Sequence, residues 1–364
     1  MLEIVDQANI LEIFRMIKRF IRKLPMQLRN NSKIVLMLSA ISTMDYTFSR
    51  NIKDSARIYG RVHGVRNDRG LKNDIKQSYI EGPFSLDEYI DFEFFEKEKK
   101  ERMQYVSLKE LLKEFSRGEK NTFPRDKFER YLLFKDYYLR DVIRISIERS
   151  GVYKNEFNRF LQLHDTFVLK PIKGTKGQGI KIISKEDVPD YESLESLVQG
   201  SFIIEEVIEQ GEALARFHQS SINTLRIVTG MNADKQFNIL FALLRVGQGN
   251  AVVDNVGAGG IVSLVDLESG QIITDGLCEH HFFKRHPDTK EEFKGSMMPK
   301  WMTLLNIVEK AHQSIPQQAL IGWDFAWSKN GWDLVEANPA PAFASFQALS
   351  GKGIRPLLKE FGLI

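Results

Sequence analysis

The sequence is poor in cysteine, with Cys278 the single one among 364 residues. A lone cysteine excludes an internal disulfide framework and favours a reducing compartment. The sequence also lacks a secretory signal, because Met1 is followed by Leu-Glu-Ile without a long apolar core before a small-residue cleavage site. The longest apolar run, at 34–41, is much too short to span a bilayer. These absences predict a soluble protein of the cytoplasm.

A strong excess of charge of one sign is also missing. The formal net charge is +3 and the pI is about 8.7. This mildly basic balance suits an anionic ligand and gives no indication of nucleic-acid binding. With 43% hydrophobic residues, the chain is long enough to build two or three lobes around buried cores.

Residues 1–122 are predicted to form a mostly helical N-terminal region. The stretch 8–23 has the pattern of an amphipathic helix with a basic face. Such a helix packs onto its own protein or contacts a membrane surface or partner. Residues 50–80 show no clear period and are predicted to be poor in helix or mobile. Alternating charges at 93–102 predict an exposed helix rather than a nucleic-acid tract.

From residue 123 the pattern changes. Apolar residues at three- and four-residue steps predict a helix at 126–140, and a strand candidate follows at 141–146. Further along the chain strands dominate. We therefore expect a mixed α/β (α+β) body with a central lobe at 123–200 and a C-terminal lobe at 201–364.

Two strands near the end of the sequence carry the strongest chemical signal. They are joined by Lys329-Asn330-Gly331, which is typical of a three-residue hairpin loop with glycine in the left-handed position. Closing that loop pairs Ser328 with Trp332. This register predicts that Asp324 lies directly opposite Glu336.

The predicted hairpin has the residues of a magnesium site. Asn338 is two residues beyond Glu336 and therefore points to the same face of the strand. Opposed like charges such as Asp324 and Glu336 destabilise a hairpin, and a divalent cation between them removes this cost. Two carboxylates and an amide oxygen are hard ligands that suit Mg²⁺ carrying phosphates. Two solvated acids near a turn are the alternative interpretation.

A strand that ends in Lys170 precedes a glycine-rich loop. The loop contains Lys173, Gly174, Gly177 and Gly179 and leads into a second strand. Glycine amides are unobstructed and can fold over phosphates, and a neighbouring cation supports that role. The loop is neither a Walker A loop nor a dinucleotide fingerprint, because no helix follows it. A flexible hairpin is the alternative interpretation.

An apolar strand at 201–208 ends in acidic residues. Its end can present backbone N–H and C=O groups to an adenine edge, and a carboxylate there can accept the exocyclic amine. The predicted adenine-contacting residues are Glu205, Glu206, Val207 and Ile208. A carboxylate further along can bind ribose hydroxyls, with Glu212 as the candidate and Glu209 as the second choice. Acid pairs at strand ends also occur on ordinary surfaces.

Two arginines, Arg226 and Arg245, lie within apolar strands. A buried guanidinium requires an anion, which either the protein or a ligand supplies. The segment that follows contains Asn255 and the pair Gly259 and Gly260, and its glycine density suits a loop lying close over a ligand. Structural salt bridges are the alternative interpretation for both arginines.

The order of these features resembles the ATP-grasp superfamily over roughly residues 123–345. The phrase Ser-Ile-Asn-Thr-Leu-Arg at 221–226 is most similar to its sugar-transfer-associated branch, which is related to α-L-glutamate ligases. The resemblance implies an ATP-grasp fold, in which two α+β lobes clasp ATP. It further implies that Mg²⁺, or alternatively Mn²⁺, is held by Asp324, Glu336 and Asn338.

The resemblance also implies roles for the remaining candidates. Lys127, on the helix at 126–140, and Lys170 resemble the two phosphate-binding lysines of the superfamily. Arg245, Arg226 and Asn255 correspond to catalytic groups that stabilise the reacting atoms. The glycine-loop residues and Gly259 and Gly260 enclose the phosphates.

We therefore expect an ATP- and Mg²⁺-dependent carboxylate–amine ligase that forms an amide through an acyl phosphate, in polysaccharide, glycoconjugate or peptide modification. The expected partners are ATP, a sugar-acid, amino-acid or peptide carboxylate, and an amine. Two alternatives stay open. One is an ATP-grasp kinase acting on a small-molecule or sugar hydroxyl, and the other is a non-catalytic nucleotide-binding scaffold of glycan machinery.

Overall fold

The computed structural model describes residues 50–81, 84–111, 123–124, 126–146, 152–172, 179–251, 254 and 256–364. The helix predicted at 8–23 lies outside this part of the chain. The chain divides into two compact units, Met1–Glu110 with Gly351–Gly353, and Leu111–Ser350 with Ile354–Ile364. The expected mixed α+β fold class is confirmed, and so is the mostly helical character of the N-terminal region over the part of it that the structure describes.

The first unit is helical where it is described. Helical residues at 50–63 are followed by α1 (Arg69–Glu81), α2 (Leu86–Asp91) and α3 (Lys99–Arg102). The prediction that 50–80 is poor in helix is therefore wrong. Leu71 and Ile75 are fully buried one turn apart, so a short apolar stripe stabilises α1 despite the many charges around it.

The exposed helix predicted at 93–102 is confirmed only over its last turn, Lys99–Arg102, where no residue is buried. A 3₁₀ turn at Phe94–Glu96 precedes the short helix α3. Phe94 is fully buried, and its ring lies 4.8 Å from that of Phe84 and 5.2 Å from that of Tyr105. Burial of this aromatic cluster outweighs the helix-compatible alternation of charges.

The second unit begins with α4 (Lys127–Phe134), a 3₁₀ turn at Lys135–Tyr137 and a four-stranded antiparallel sheet. In spatial order the strands are β1 (Val142–Ser146), β4 (Ser201–Glu206), β2 (Thr166–Pro171) and β3 (Lys181–Ser184). Helices α5 (Lys154–Leu163) and α6 (Tyr191–Leu197) cover one face, where Phe157 and Leu194 pack against Phe167 and Ile204.

A seven-stranded antiparallel sheet forms the rest of the unit. Its spatial order is β11 (Gly331–Asn338), β10 (Leu320–Ser328), β5 (Thr224–Met231), β6 (Phe237–Val246), β7 (Ile261–Val265), β8 (Gly276–Cys278) and β9 (His281–Phe283). Strand β6 is apolar almost throughout because both of its faces are covered. Ala242 and Leu244 lie in the core that includes helix α8 (Trp301–Gln313), whereas Phe241 stacks on Phe346 of α9 (Ala344–Ser350) at 4.5 Å between ring centroids.

The lobe boundaries at 122/123 and 200/201 stay predictions. Strand β4, which the second boundary places in the C-terminal lobe, hydrogen-bonds within the four-stranded sheet between β1 and β2. The chain ends in helix α10 (Arg355–Glu360). Among the described residues, no helix combines the length and the apolar character that a membrane crossing requires.

Candidate active site

The β10–β11 hairpin places Asp324 directly opposite Glu336, as predicted, but through a different register. The loop is one residue shorter than predicted, since Ser328 pairs with Gly331 and not with Trp332. An irregularity between Asp324 and Phe325 then shifts the register back by one residue. Such a bulge inserts an extra residue into one strand and restores the alignment of the two acids.

Asp324 is buried and bound by two arginines. Arg226 donates through Nε to Oδ1 and through Nη2 to Oδ2, and Arg245 donates through Nη1 to Oδ2 at 3.1 Å. The three residues meet because Asp324 pairs with Arg226 across β10 and β5, and Arg245 lies on the neighbouring strand opposite Thr224. Burial raises the pKa of Asp324, but the two guanidinium groups outweigh it and hold this pKa below its usual value.

A second buried acid, Asp254, continues this cluster. Its Oδ1 accepts from Arg245 Nη2 at 3.1 Å, and its Oδ2 accepts from the backbone N–H of Thr224 at 3.0 Å and from the Thr224 hydroxyl. Burial raises the pKa of Asp254, and Arg245 opposes that rise. Asp254 directly precedes Asn255, a predicted catalytic residue that lies outside the described part of the chain.

Glu336 is the more accessible of the opposed acids. Its side chain is 39% exposed, and its Oε1 lies 3.7 Å from Nη1 of Arg130 on α4. Asn338, the third predicted metal ligand, is half-buried and pairs with Gly322 on β10. The hairpin therefore presents two carboxylates and an amide along neighbouring positions of one sheet edge.

The two predicted phosphate lysines lie on helix α4 and strand β2. Lys127, the first residue of α4, donates to the carbonyl oxygen of Pro171 at 3.1 Å. Burial lowers the pKa of Lys127; Glu336 opposes this shift, whereas Lys170 adds to it. Lys170, near the end of β2, donates to Oε2 of Glu205 at 2.7 Å. Both lysines thus belong to one electrostatic cluster with Glu336 and Glu205.

Sequence reasoning missed Arg140, whose buried guanidinium holds Glu205. Arg140 donates through Nε and Nη2 to Glu205 Oε2 at 2.9 and 2.8 Å, and through Nη1 to Asp333 of β11. Burial alone raises the pKa of Glu205, but Arg140 and Lys170 outweigh it and bring this pKa to about 2. The available signal was an acid within the apolar strand β4, which requires a cation nearby.

These contacts change the expected role of Glu205. The carboxylate of Glu205 is bound by Arg140 and Lys170. Glu205 itself lies in the internal strand β4, where it pairs with Val142 of β1 and with Val168 of β2. The strand predicted at 201–208 ends at Glu206, so Val207 and Ile208 leave the sheet half-buried. Direct contact with an adenine is therefore left to Glu206, Val207 and Ile208, and that role stays a prediction.

The two candidate ribose acids differ in their surroundings. Glu212 is exposed at the first position of the short helix α7 (Glu212–Ala215). Glu209 forms a surface ion pair with Lys329 at 2.7 Å. The connection between them is anchored by Gly211, whose N–H donates to the carbonyl oxygen of Trp327 at 2.7 Å.

The glycine-rich segments are described only in part. Lys173, Gly174 and Gly177 lie outside the described residues. Gly179 has φ +75°, and a Cβ there would lie 2.9 Å from Pro171 Cγ, so only glycine fits this backbone without strain. In the second loop Gly259 has φ +88°, and its carbonyl oxygen accepts from Gln248 Nε2 at 2.6 Å, while Gly260 is buried.

Comparison with known protein families shows the family of this chain. A model of the sugar-transfer associated ATP-grasp family matches residues 125–362. The chain belongs to this family. The matched residues run from just before Lys127 to beyond Asn338, so this sugar-transfer associated ATP-grasp protein has the predicted ATP-grasp fold. A search of curated proteins found no match.

The solved structures to which this chain shows some similarity include one synthetase and two ligases. N5-carboxyaminoimidazole ribonucleotide synthetase from Thermotoga maritima is 12% identical, with a TM-score of 0.36 over 64% of this chain and 50% of that one. D-alanine-D-alanine ligase from Coxiella burnetii is 9% identical, with a TM-score of 0.39 over 66% and 56%. VanG D-Ala:D-Ser ligase from Enterococcus faecalis is 10% identical, with a TM-score of 0.41 over 65% and 60%. The chain thus spans about half to three fifths of the length of these proteins.

Proposed function

We propose that this chain is a cytoplasmic, ATP- and Mg²⁺-dependent carboxylate–amine ligase that modifies a polysaccharide, glycoconjugate or peptide. One observation carries the proposal. Asp324 faces Glu336 across the β10–β11 hairpin, and Lys127 interacts electrostatically with Glu336 and with Lys170. Acids that bind a divalent cation, beside lysines that bind phosphates, are the combination that phosphoryl transfer from ATP requires.

The hairpin residues fit a magnesium ion. A carboxylate offers about four lone pairs, and the bonds from Arg226 and Arg245 to Asp324 use three of them. One lone pair of Oδ1 therefore stays available for a metal. Glu336, with its partly exposed carboxylate, and Asn338 would complete the protein ligands. When bound, Mg²⁺ would neutralise phosphate charge and orient the γ-phosphoryl group.

The basic residues would then bind the phosphates. Lys127 and Lys170 carry three N–H donors each, whereas the bonds to Pro171 and Glu205 use one of each. Their charges favour the extra negative charge that develops during phosphoryl transfer. Glu206, Val207 and Ile208 would contact the adenine, and Glu212 would bind the ribose.

The reaction would proceed in two displacements. An oxygen of the substrate carboxylate attacks the γ-phosphorus, the bond to the β-phosphate oxygen breaks, and ADP leaves with that electron pair. The amine nitrogen then attacks the acyl carbon, inorganic phosphate leaves, and the nitrogen loses a proton. Arg245 and Arg226 would stabilise the negative charge of the acyl phosphate and of the tetrahedral adduct, together with Asn255.

Ligand-dependent thermal stability tests nucleotide binding. We expect ATP with Mg²⁺ to raise the melting temperature of the full chain, because a ligand that binds only the native state stabilises it. Glu336→Gln should remove the Mg²⁺-dependent part of this shift. Asp234→Asn, at an exposed turn beyond the far end of β5, is the matched control and should leave it intact. The absence of a shift with ATP, ADP and GTP would contradict nucleotide binding and therefore overturn the proposed ligase.

Product analysis separates a ligase from a kinase. A ligase releases inorganic phosphate from ATP when both a carboxylate and an amine are supplied, and yields an amide. A kinase transfers the phosphoryl group to a single hydroxyl acceptor and releases no phosphate. A phosphorylated product formed with sugar acceptors alone would replace the ligase proposal with the kinase.

A further inference from the structure

Arg140 joins the two sheets of the second unit through a single buried guanidinium. Its side chain is 2% exposed. Nε and Nη2 bind Glu205 in β4 of the four-stranded sheet, and Nη1 binds Asp333 and the carbonyl oxygen of Leu334 in β11 of the seven-stranded sheet, the latter at 2.8 Å. A rigid, planar fork of donors is suited to fixing two acids at a set separation.

Each end of this bridge leads to one half of the candidate active site. On one side, Glu205 also accepts from Lys170 at 2.7 Å, so the same carboxylate oxygen binds Arg140 and the phosphate lysine. On the other side, Asp333 lies on the strand that carries Glu336. Arg140 is therefore the shared partner through which Lys170 is connected to the metal-binding hairpin.

The surroundings of Arg140 reinforce its position. Asp333 also accepts from the backbone N–H of Leu139 at 3.1 Å. The ring of Tyr138 lies over the guanidinium, 4.7 Å from its central carbon, and packs against apolar residues of both sheets. Burial raises the pKa of Asp333, and Arg140 opposes that rise.

Stability alone is a poor explanation for such a bridge. Removing charges from water is costly, and well-packed apolar residues often replace a buried ion network without loss of stability. What apolar residues do not supply is a fixed orientation for the ammonium group of Lys170. We propose that Arg140 is a positioning residue, which holds Lys170 at the distance from Asp324 and Glu336 that a nucleoside triphosphate with its metal ion requires. This inference rests on the proposed function.

A double-mutant cycle on the full chain tests this role by measuring the dissociation constant of ATP with Mg²⁺. The variants are Arg140→Lys, Lys170→Ala and their combination. Lysine keeps the charge of Arg140 but cannot bind both acids as a fork. We expect Arg140→Lys to weaken ATP binding by about tenfold in the wild-type background, and by less than about twofold in the Lys170→Ala background, because contacting residues are energetically coupled.

Two further variants complete the experiment. Asp333→Asn leaves the bonds among Arg140, Glu205 and Lys170 in place but breaks the charge pair to β11. We expect it to weaken ATP binding in the wild-type background and to have little effect in the Lys170→Ala background, so it replaces Arg140→Lys if that variant does not fold. Arg285→Lys changes an exposed pair with Glu292, in which both side chains are more than half exposed, and should leave ATP affinity unchanged.

The outcomes separate this inference from the proposed function. Equal weakening of ATP binding by Arg140→Lys with and without Lys170 would show a purely structural residue and overturn the inference alone. An unchanged affinity in both Arg140→Lys and Asp333→Asn would do the same. If Lys170→Ala left ATP affinity unchanged, or if the wild-type chain did not bind ATP with Mg²⁺, both the inference and the proposed site would be wrong.

Discussion

Arg226 binds both carboxylate oxygens of Asp324, through its Nε and Nη2 atoms. The guanidinium of Arg226 is therefore bound to the same carboxylate that is proposed to bind the metal ion. The sequence left two interpretations for Arg226 and Arg245, structural salt bridges or ligand binding. Both arginines form salt bridges within the protein. The same bonds keep Asp324 ionised and oriented toward the site.

Removing Arg226 should make the stability of the chain depend on magnesium. Arg226→Met leaves Arg245 as the remaining cation on the buried Asp324, and removing one partner from a buried ion pair is destabilising by about 3 kcal/mol. We expect millimolar Mg²⁺ to restore more stability to this variant than it adds to the wild type. Urea unfolding with and without MgCl₂ measures the difference. Equal responses of the two proteins to Mg²⁺ would contradict a metal site at Asp324.

Glu205 should contribute a specific acid sensitivity. Its pKa of about 2 lies below the usual 4.5, so the folded state binds fewer protons at this residue than the unfolded state between those two values. The stabilisation is fully present above pH 4.5 and is lost as the pH falls toward 2, by at most about 1.4 kcal/mol per pH unit.

Glu205→Gln isolates this contribution. We expect the variant to be less stable at neutral pH, because Lys170 and Arg140 lose the Glu205 carboxylate. However, its free energy of unfolding should fall less steeply than that of the wild type between pH 5 and 3. Urea denaturation at half-unit pH steps gives the two slopes. Parallel slopes would show that the Glu205 carboxyl is not held ionised by its neighbours.

The sequence allowed the chemistry of the site to be predicted better than its geometry. Asp324 was expected opposite Glu336, and it is, but the prediction combined a loop that was one residue too long with an undetected bulge. Both the loop length and the bulge belong to a strand pair that is held within a larger sheet, since β10 also pairs with β5. Local patterns do not contain that tertiary constraint.

Arg140 escaped prediction for a related reason. In the sequence it belongs to a segment with helical periodicity, where a basic residue is ordinarily solvated. The helix in fact ends at Phe134, and Arg140 lies in the irregular segment before β1. Its partners Glu205 and Asp333 are 65 and 193 residues away. Pairings over such separations become visible only when the two sheets are assembled.

Gly179 should be required for the loop between β2 and β3. Gly179→Ala has two unfavourable effects: it places an alanine at φ +75°, and its Cβ lies only 2.9 Å from Pro171. Pro171 is the residue whose carbonyl oxygen accepts a hydrogen bond from Lys127. We expect Gly179→Ala to destabilise the chain by more than about 2 kcal/mol, beyond the 1–2 kcal/mol of the backbone conformation alone, and to weaken ATP binding. Urea unfolding and ATP titration measure both effects.

Gly362→Ala is the matched control for this substitution. Gly362 has a similar φ of +64°, but a Cβ there makes ordinary contacts of 3.7 Å with Asn232. It should therefore show the backbone cost alone and leave ATP affinity unchanged. If both variants lost the same stability and bound ATP equally well, the close approach of Gly179 to Pro171 would have no functional consequence.

Deprotonation of Lys127 should lower the affinity for ATP at alkaline pH. Burial lowers the pKa of its ammonium group from the usual 10.5, so the free protein loses this positive charge at a lower pH than an exposed lysine would. Phosphates favour the charged form, hence ATP affinity should decrease as the pH rises through the lowered pKa. Arginine remains charged throughout this range, so Lys127→Arg should flatten that decrease even if its affinity at pH 7 is reduced. Isothermal titration of ATP with Mg²⁺ between pH 7 and 10 compares the two profiles, and superimposable profiles would remove Lys127 from the phosphate site.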